Sequence, residues 1–161
     1  MLTKSKKEEI VKNLGEVAAS AKSLVFVNFH GLHVANETAL RNSLREKNVG
    51  YKVSRKTLLK RALSGKAEGE LPELAGEVAL AYSSEDELSS AREVYNFGKA
   101  HDGILKILGG IFEGKFRDGN FMTELAMIPG KDVLLSKLAF LFKSPIQRLA
   151  IGISEVAKIK N

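Results

Sequence analysis

The 161-residue chain has no cysteine. That removes disulfides, zinc-thiolate sites and thiol nucleophiles together, and it is the usage expected of a cytosolic protein. Histidine occurs three times. His30 and His33 stand three apart in FHGLHV, with no third ligand within a few residues and a glycine turn between them, so no metal is expected. His101 is alone in KAHDG and reads as a loop residue. No apolar run reaches the roughly 18 residues needed to cross a bilayer. The Lys-rich opening MLTKSKKEEI leads into charge, which is not the pattern of a secretory signal.

Catalytic signatures are missing as well. GGIFEGK (109–115) matches the front of a phosphate-binding loop, but Phe116 stands where Ser or Thr would hold magnesium. Such a loop should open a helix whose amides face the phosphates. Here KFRDG follows, and a β-hairpin around Glu113-Gly114 accounts for the same letters. No serine sits in a nucleophile elbow. The carboxylates of 68–93 lack apolar neighbours that would tune a general acid. The chain is read as a non-enzyme that needs no cofactor.

Hydrophobic residues make up 44% of the chain, enough for a packed core. Charge is segregated along it: residues 1–66 hold 14 cations and 5 acids, 67–130 hold 5 and 12, and 131–161 hold 6 and 2. A basic start and an acidic middle suggest one surface given over to a polyanion.

Hydrophobic spacing predicts helices over 4–20, 34–47, 55–64, 85–99 and about 121–127. It predicts strands over SLVFVNF (23–29), GYKVS (50–54) and VALAYS (78–83), then the hairpin of 104–112 and 115–119. Val25, Val27 and Phe29 share one strand face. Ser84 should cap the 85–99 helix, with Glu85, Asp86 and Glu87 in its first turn. Gly65 should stop the basic helix, and 66–74 reads as an acidic loop. Strands alternating with helices imply crossover units. The expected class is α/β: a layered, mixed sheet flanked by helices over 1–130, then a long C-terminal helical segment, 131–161, with a kink at Pro145.

The basic helix SRKTLLKRAL (54–63) is the strongest site candidate. Lys60 and Arg61 suit a helix C-terminus, but Arg55 and Lys56 stand at the positive end of the helix dipole, where each cation costs about 0.3–1 kcal/mol. A docked phosphodiester would reverse that penalty, meeting free amides and two side-chain cations together. Lys4, Lys6, Lys7, Arg41 and Arg45 supply further charge. Few aromatics interleave with these cations, which favours phosphate and shape readout of folded RNA over base stacking.

The last thirty residues differ in kind. KDVLLSKLAFLFK is apolar on nearly every side of a helix, and after Ser144-Pro145 a stripe of Ile146, Leu149, Ala150, Ile153, Val156 and Ala157 follows at helical spacing. Each large aliphatic side chain gains about 1.5–3 kcal/mol on burial, so a covering protein is expected. A membrane-surface helix is the alternative, disfavoured by the mixed polar face of Asp132, Gln147, Ser154 and Glu155.

Taken in order, KSKKEEIV, FHGLHV, VSRKTLLKRAL, GEVALAYS, LKILGGIFEGK and LAMIPGKDVLLSKLAFLFKSPIQRL resemble the bacterial large-subunit ribosomal protein L-ten family over nearly the whole chain. The resemblance implies a cytoplasmic ribosomal protein at the base of the stalk. It implies an α/β domain on 23S rRNA beside protein L-eleven, and a C-terminal helix carrying dimers of stalk protein L-seven/L-twelve, two of them here, that recruit translational GTPases. Repression of its own messenger through a similar RNA fold is implied too. RNA contact would fall on the N-terminal lysines, His30-Gly31, Arg55, Lys56 and Thr57, and stalk binding on the helix from Pro145. Lys56 replaces the family's usual Asn and Glu77 its Pro. His33 replaces a capping Thr, which moves the expected helix start to Asn36.

Overall fold

Leu24, Val25, Phe26 and Val27 are all buried, whichever way they point. A strand built from them needs protein on both faces. The computed structural model describes residues 3–64, 74–84, 86–101 and 103–160 and supplies both. In chain order the elements are α1 (Lys4–Ser20), β1 (Ser23–Asn28), α2 (Val34–Glu46), β2 (Val49–Val53), α3 (Lys56–Leu63) and β3 (Val78–Ser83). There follow α4 (Ser89–Ala100), β4 (Lys106–Phe112), β5 (Lys115–Asp118), α5 (Gly119–Ala126) and α6 (Lys131–Lys160).

The strands form one five-stranded sheet in the order β2-β3-β1-β4-β5, with β1 at its centre. The layered α/β class expected from the sequence is present. Every pairing is antiparallel, however, where crossover units would have made some neighbours parallel. Val25 and Val27 face a core made with Leu40 and Leu44 of α2, Val94 of α4 and Met122 of α5. Leu24 and Phe26 face a second core, with Leu14 of α1 and Leu59 and Leu63 of α3. The expectation of a single apolar face, Val25 to Phe29, caught half of this strand.

The glycines of the mock phosphate loop serve the sheet. The β1–β4 register shifts between Phe26 and Val27, and Gly109 takes φ +152 there, as a bulge next to a glycine allows. A Cβ on Gly110 would strike the Leu24 carbonyl oxygen and the Met122 side chain. Glu113 and Gly114 then close the hairpin at φ +52 and +75, the left-handed pair a two-residue connection prefers.

Some boundaries moved. α4 starts at Ser89, not at 85, and Ser84 does not cap it; Glu85 lies outside the described residues. Asp86 sits in the preceding turn, its carboxylate accepting the Leu88 N–H at 3.2 Å, an arrangement that competes with helix. α2 begins at Val34, with His33 at the cap position and no side-chain bond, so the expected shift to Asn36 does not occur. α5 opens two residues early, at Gly119. The stop at Gly65 and the loop of 66–73 lie outside the described residues; Leu74, at that loop's end, is buried.

The chain divides into two units, Met1–Ile128 and Pro129–Asn161. In the second, α6 runs without interruption through Pro145, where a break or restart was among the expectations. Its large apolar side chains, from Val133 to Val156, are all exposed.

Candidate nucleic-acid interface

α3 buries Leu58, Leu59, Ala62 and Leu63 and turns its cations outward. Its amphipathic pattern leaves no other choice, because the four apolar residues fill one face of two turns. Arg55 stands at the N-cap with no side-chain bond to the helix, and no acid occupies the first turn. α1 repeats the anomaly. Thr3 caps it without a side-chain bond, no acid lies in its first turn, and Lys4, Lys6 and Lys7 are exposed there. Two helix N-termini therefore carry cations that their own dipoles disfavour.

The two helices pack on each other against the same sheet face. An open cavity of about 690 Å³ lies at the start of α3, lined by its cap residue Arg55, by Lys56 and Leu58, and by Ile10 from the second turn of α1. Lys6 and Lys7 precede Ile10 by four and three residues and so share its helix face. Lys52, Val53 and Ser54 at the end of β2, Phe29 after β1, and Gly76, Glu77 and Val78 complete the lining. The Ser54 hydroxyl is shielded from solvent and has no hydrogen-bond partner. Among the described residues Glu77 is the acid at this cavity, and its carboxylate lies 3.7 Å from His30 Nδ1. Among the described residues none of Lys6, Lys7, Arg55 and Lys56 forms an ion pair.

The remaining sequence candidates divide. His30 and Gly31 (φ +84) form the turn after β1, close enough to Glu77 to border the same region. Thr57, Lys60 and Arg61 are exposed on α3. Arg41 stands apart. It is on α2, against the opposite sheet face, bound to Glu37 at 2.6 Å and 5.2 Å over the Tyr51 ring. Burial, with a smaller push from the Glu37 charge and a counter-pull from Arg41, raises the Tyr51 phenol to about 12. His101 is held locally, stacked on Phe97 at 4.0 Å with Nδ1 3.0 Å from the Phe97 carbonyl oxygen. Among the described residues no cluster of His, Cys, Asp and Glu converges on a metal position.

Sequence reasoning missed Phe29, Lys52 and Ser54 as members of this site. Lys52 had a usable signal, since strand alternation sets it opposite Tyr51 and so on the α1–α3 face. Ser54 adjoins Arg55 in the chain; Phe29 had no signal, because its relation to Arg55 exists only after β1, β2 and β3 pair.

A second surface comes from α6. Pro145, Ile146, Leu149, Ala150, Ile153, Val156 and Ala157, read as a contact stripe, are exposed along it. So are Val133, Leu135, Leu138, Phe140, Leu141 and Phe142 before the proline. No described helix is long and apolar enough to cross a membrane.

Comparison with known proteins gives two family matches. Residues 2–99 match the family described as Ribosomal protein L10. Residues 128–160 match the Ribosomal protein uL10 C-terminal region. Similar proteins, each named large ribosomal subunit protein uL10, occur in several bacteria. That of Delftia acidovorans is 36% identical over 161 residues, covering 99% of this chain and 91% of its own length. That of Verminephrobacter eiseniae is 38% identical over 162 residues, with 99% and 91% coverage. That of Lacticaseibacillus casei is 36% identical over 158 residues, with 98% and 94%.

Proposed function

The chain belongs to the uL10 family of large-subunit ribosomal proteins, structural proteins and not enzymes, at work in the cytoplasm on the ribosome, and from that premise we propose how its two units divide the work. Met1–Ile128 anchors to 23S rRNA beside protein L-eleven, through the cation-bearing starts of α1 and α3 and the His30-Gly31 turn. α6 carries dimers of the acidic stalk protein L-seven/L-twelve, two of them, which recruit translational GTPases. The same RNA surface is the one available for repression of its own messenger.

One observation carries this reading: a 30-residue helix whose large apolar side chains, Val133 to Val156, are all exposed. Side chains worth about 1.5–3 kcal/mol each on burial call for a covering partner. For the RNA half, support comes from unpaired cations at two helix starts, where a phosphate satisfies amides, dipole and side chains together.

A single set of titrations tests both halves. Removing residues 144–161 should abolish capture of stalk dimers and leave RNA affinity and its salt dependence unchanged. Replacing Arg55 and Lys56 by Ala should leave capture intact, weaken RNA binding, and lower the slope of log K against log salt by about 1–2. Stalk capture by the truncated chain would defeat the α6 assignment. An unchanged slope in the double variant would remove α3 from the RNA contact.

A further inference from the structure

Phosphate contact accounts for the cations at the start of α3 but leaves the hollow beside them without a role. We propose that this cavity receives one unstacked nucleotide of the bound RNA, the base entering the hollow and its flanking phosphates resting on Lys52, Arg55 and Lys56. The proposal rests on the reading of α3 as an RNA contact and adds what that surface recognises.

Chemistry of the lining selects the occupant. Ile10, Leu58 and Val78, on the α1–α3 side of the sheet, make its walls apolar. A base has two apolar faces and stacks on aromatic and aliphatic surface. Ser54 lies beside the cavity with a shielded hydroxyl that has no partner. Such a buried group is costly until something bonds to it. Among the described residues the lining holds Lys52, Arg55 and Lys56 against one acid, Glu77, so the occupant carries negative charge outside and a flat, mostly apolar body inside. A nucleotide has that division. A paired duplex does not, because its bases are hidden in the stack, and an apolar peptide would leave the cations unused. The volume, about 690 Å³, falls in the ordinary range for small-ligand sites, about 300–1,000 Å³.

The test uses the intact chain and RNA hairpins of equal phosphate number at low salt, one fully paired and four carrying a single bulged nucleotide of each base. At least one bulged hairpin should bind roughly tenfold tighter than the paired one, the size expected for one stacked base. Ile10→Trp, which fills the cavity from a half-buried position on α1, should erase that preference and leave binding of the paired hairpin unchanged. Should its melting curve show that Ile10→Trp does not fold, Ile10→Phe, a smaller filling at the same position, carries the same expectation. Equal binding of all hairpins, still dependent on Arg55 and Lys56, would overturn the base pocket while leaving the RNA surface standing. A bulge preference that survives the folded variant also overturns it. Failure to bind any hairpin would remove the RNA reading and the pocket with it.

Discussion

At the scale of single residues, two positions carry more consequence than their chemistry suggests. Gly110 lies under the Leu24 carbonyl and the Met122 side chain, at the crossing of the central strand pair and α5. Gly110→Ala forces an extra carbon against backbone, which cannot rotate away, and should cost about 1–3 kcal/mol. Thermal unfolding of the variant should show a midpoint lower by several degrees; an unchanged midpoint would mean the β4 bulge gives way freely. Tyr51 is the other. Its shielded hydroxyl has no partner, and burial raises it to about 12. Below about 10 the phenol is neutral in folded and unfolded chains alike, so it adds no pH dependence there. Above that the unfolded chain loses its proton first, and the contribution to stability falls as pH rises through the folded value. Denaturant midpoints measured from pH 9 to 12 should therefore fall more steeply for the native chain than for Tyr51→Phe, and parallel curves would contradict this. At this scale the cations of α3 were legible, because a helix start repels them whatever surrounds it. Phe29 was not, since only strand pairing brings it to the same hollow as Arg55.

At the scale of elements, legibility follows how local each cause is. VALAYS and the Glu113-Gly114 hairpin could be read from their own letters, since apolar runs bounded by turn residues admit few alternatives. The start of α4 could not. Ser84 to Glu87 has the composition of a capped helix start, yet Asp86 turns back on the Leu88 N–H and faces Arg92 at 3.6 Å, while Arg92 also donates to the Ile128 carbonyl at 2.9 Å. The Arg92–Ile128 bond spans 36 residues, and no local window shows it. α6 poses the opposite case, a helix that persists although Pro145 removes one backbone bond and costs about 3 kcal/mol in a helix interior. Pro145→Ala should raise the helical signal of the intact chain and shift its loss on heating upward. Tyr51, Tyr82 and Tyr95, the chain's three tyrosines, all belong to Met1–Ile128. Tyrosine fluorescence should therefore report an unchanged transition for that unit in the same experiment. A tyrosine transition that moved with the helix would show that the two units unfold together.

At the scale of the whole molecule, the cation-bearing helix starts and the exposed apolar helix belong to different units. The cations of α1 and α3 gather on one face of the sheet, Arg41 is spent on the other, and the exposed apolar side chains are concentrated along α6. Segregation of charge along the chain suggested a surface for a polyanion; which sheet face the cations would occupy depended on strand order, which spacing alone does not determine. Two independent surfaces on one chain describe a connector, and hydrogen exchange on the intact protein tests that most directly. With stalk protein added, amides of α6 between Val133 and Val156 should slow while those of α1 and α3 keep their rates. With 23S rRNA added, the pattern should reverse. If α6 is indifferent to the stalk protein, or the same segments answer to both partners, the division of labour between the two units is wrong.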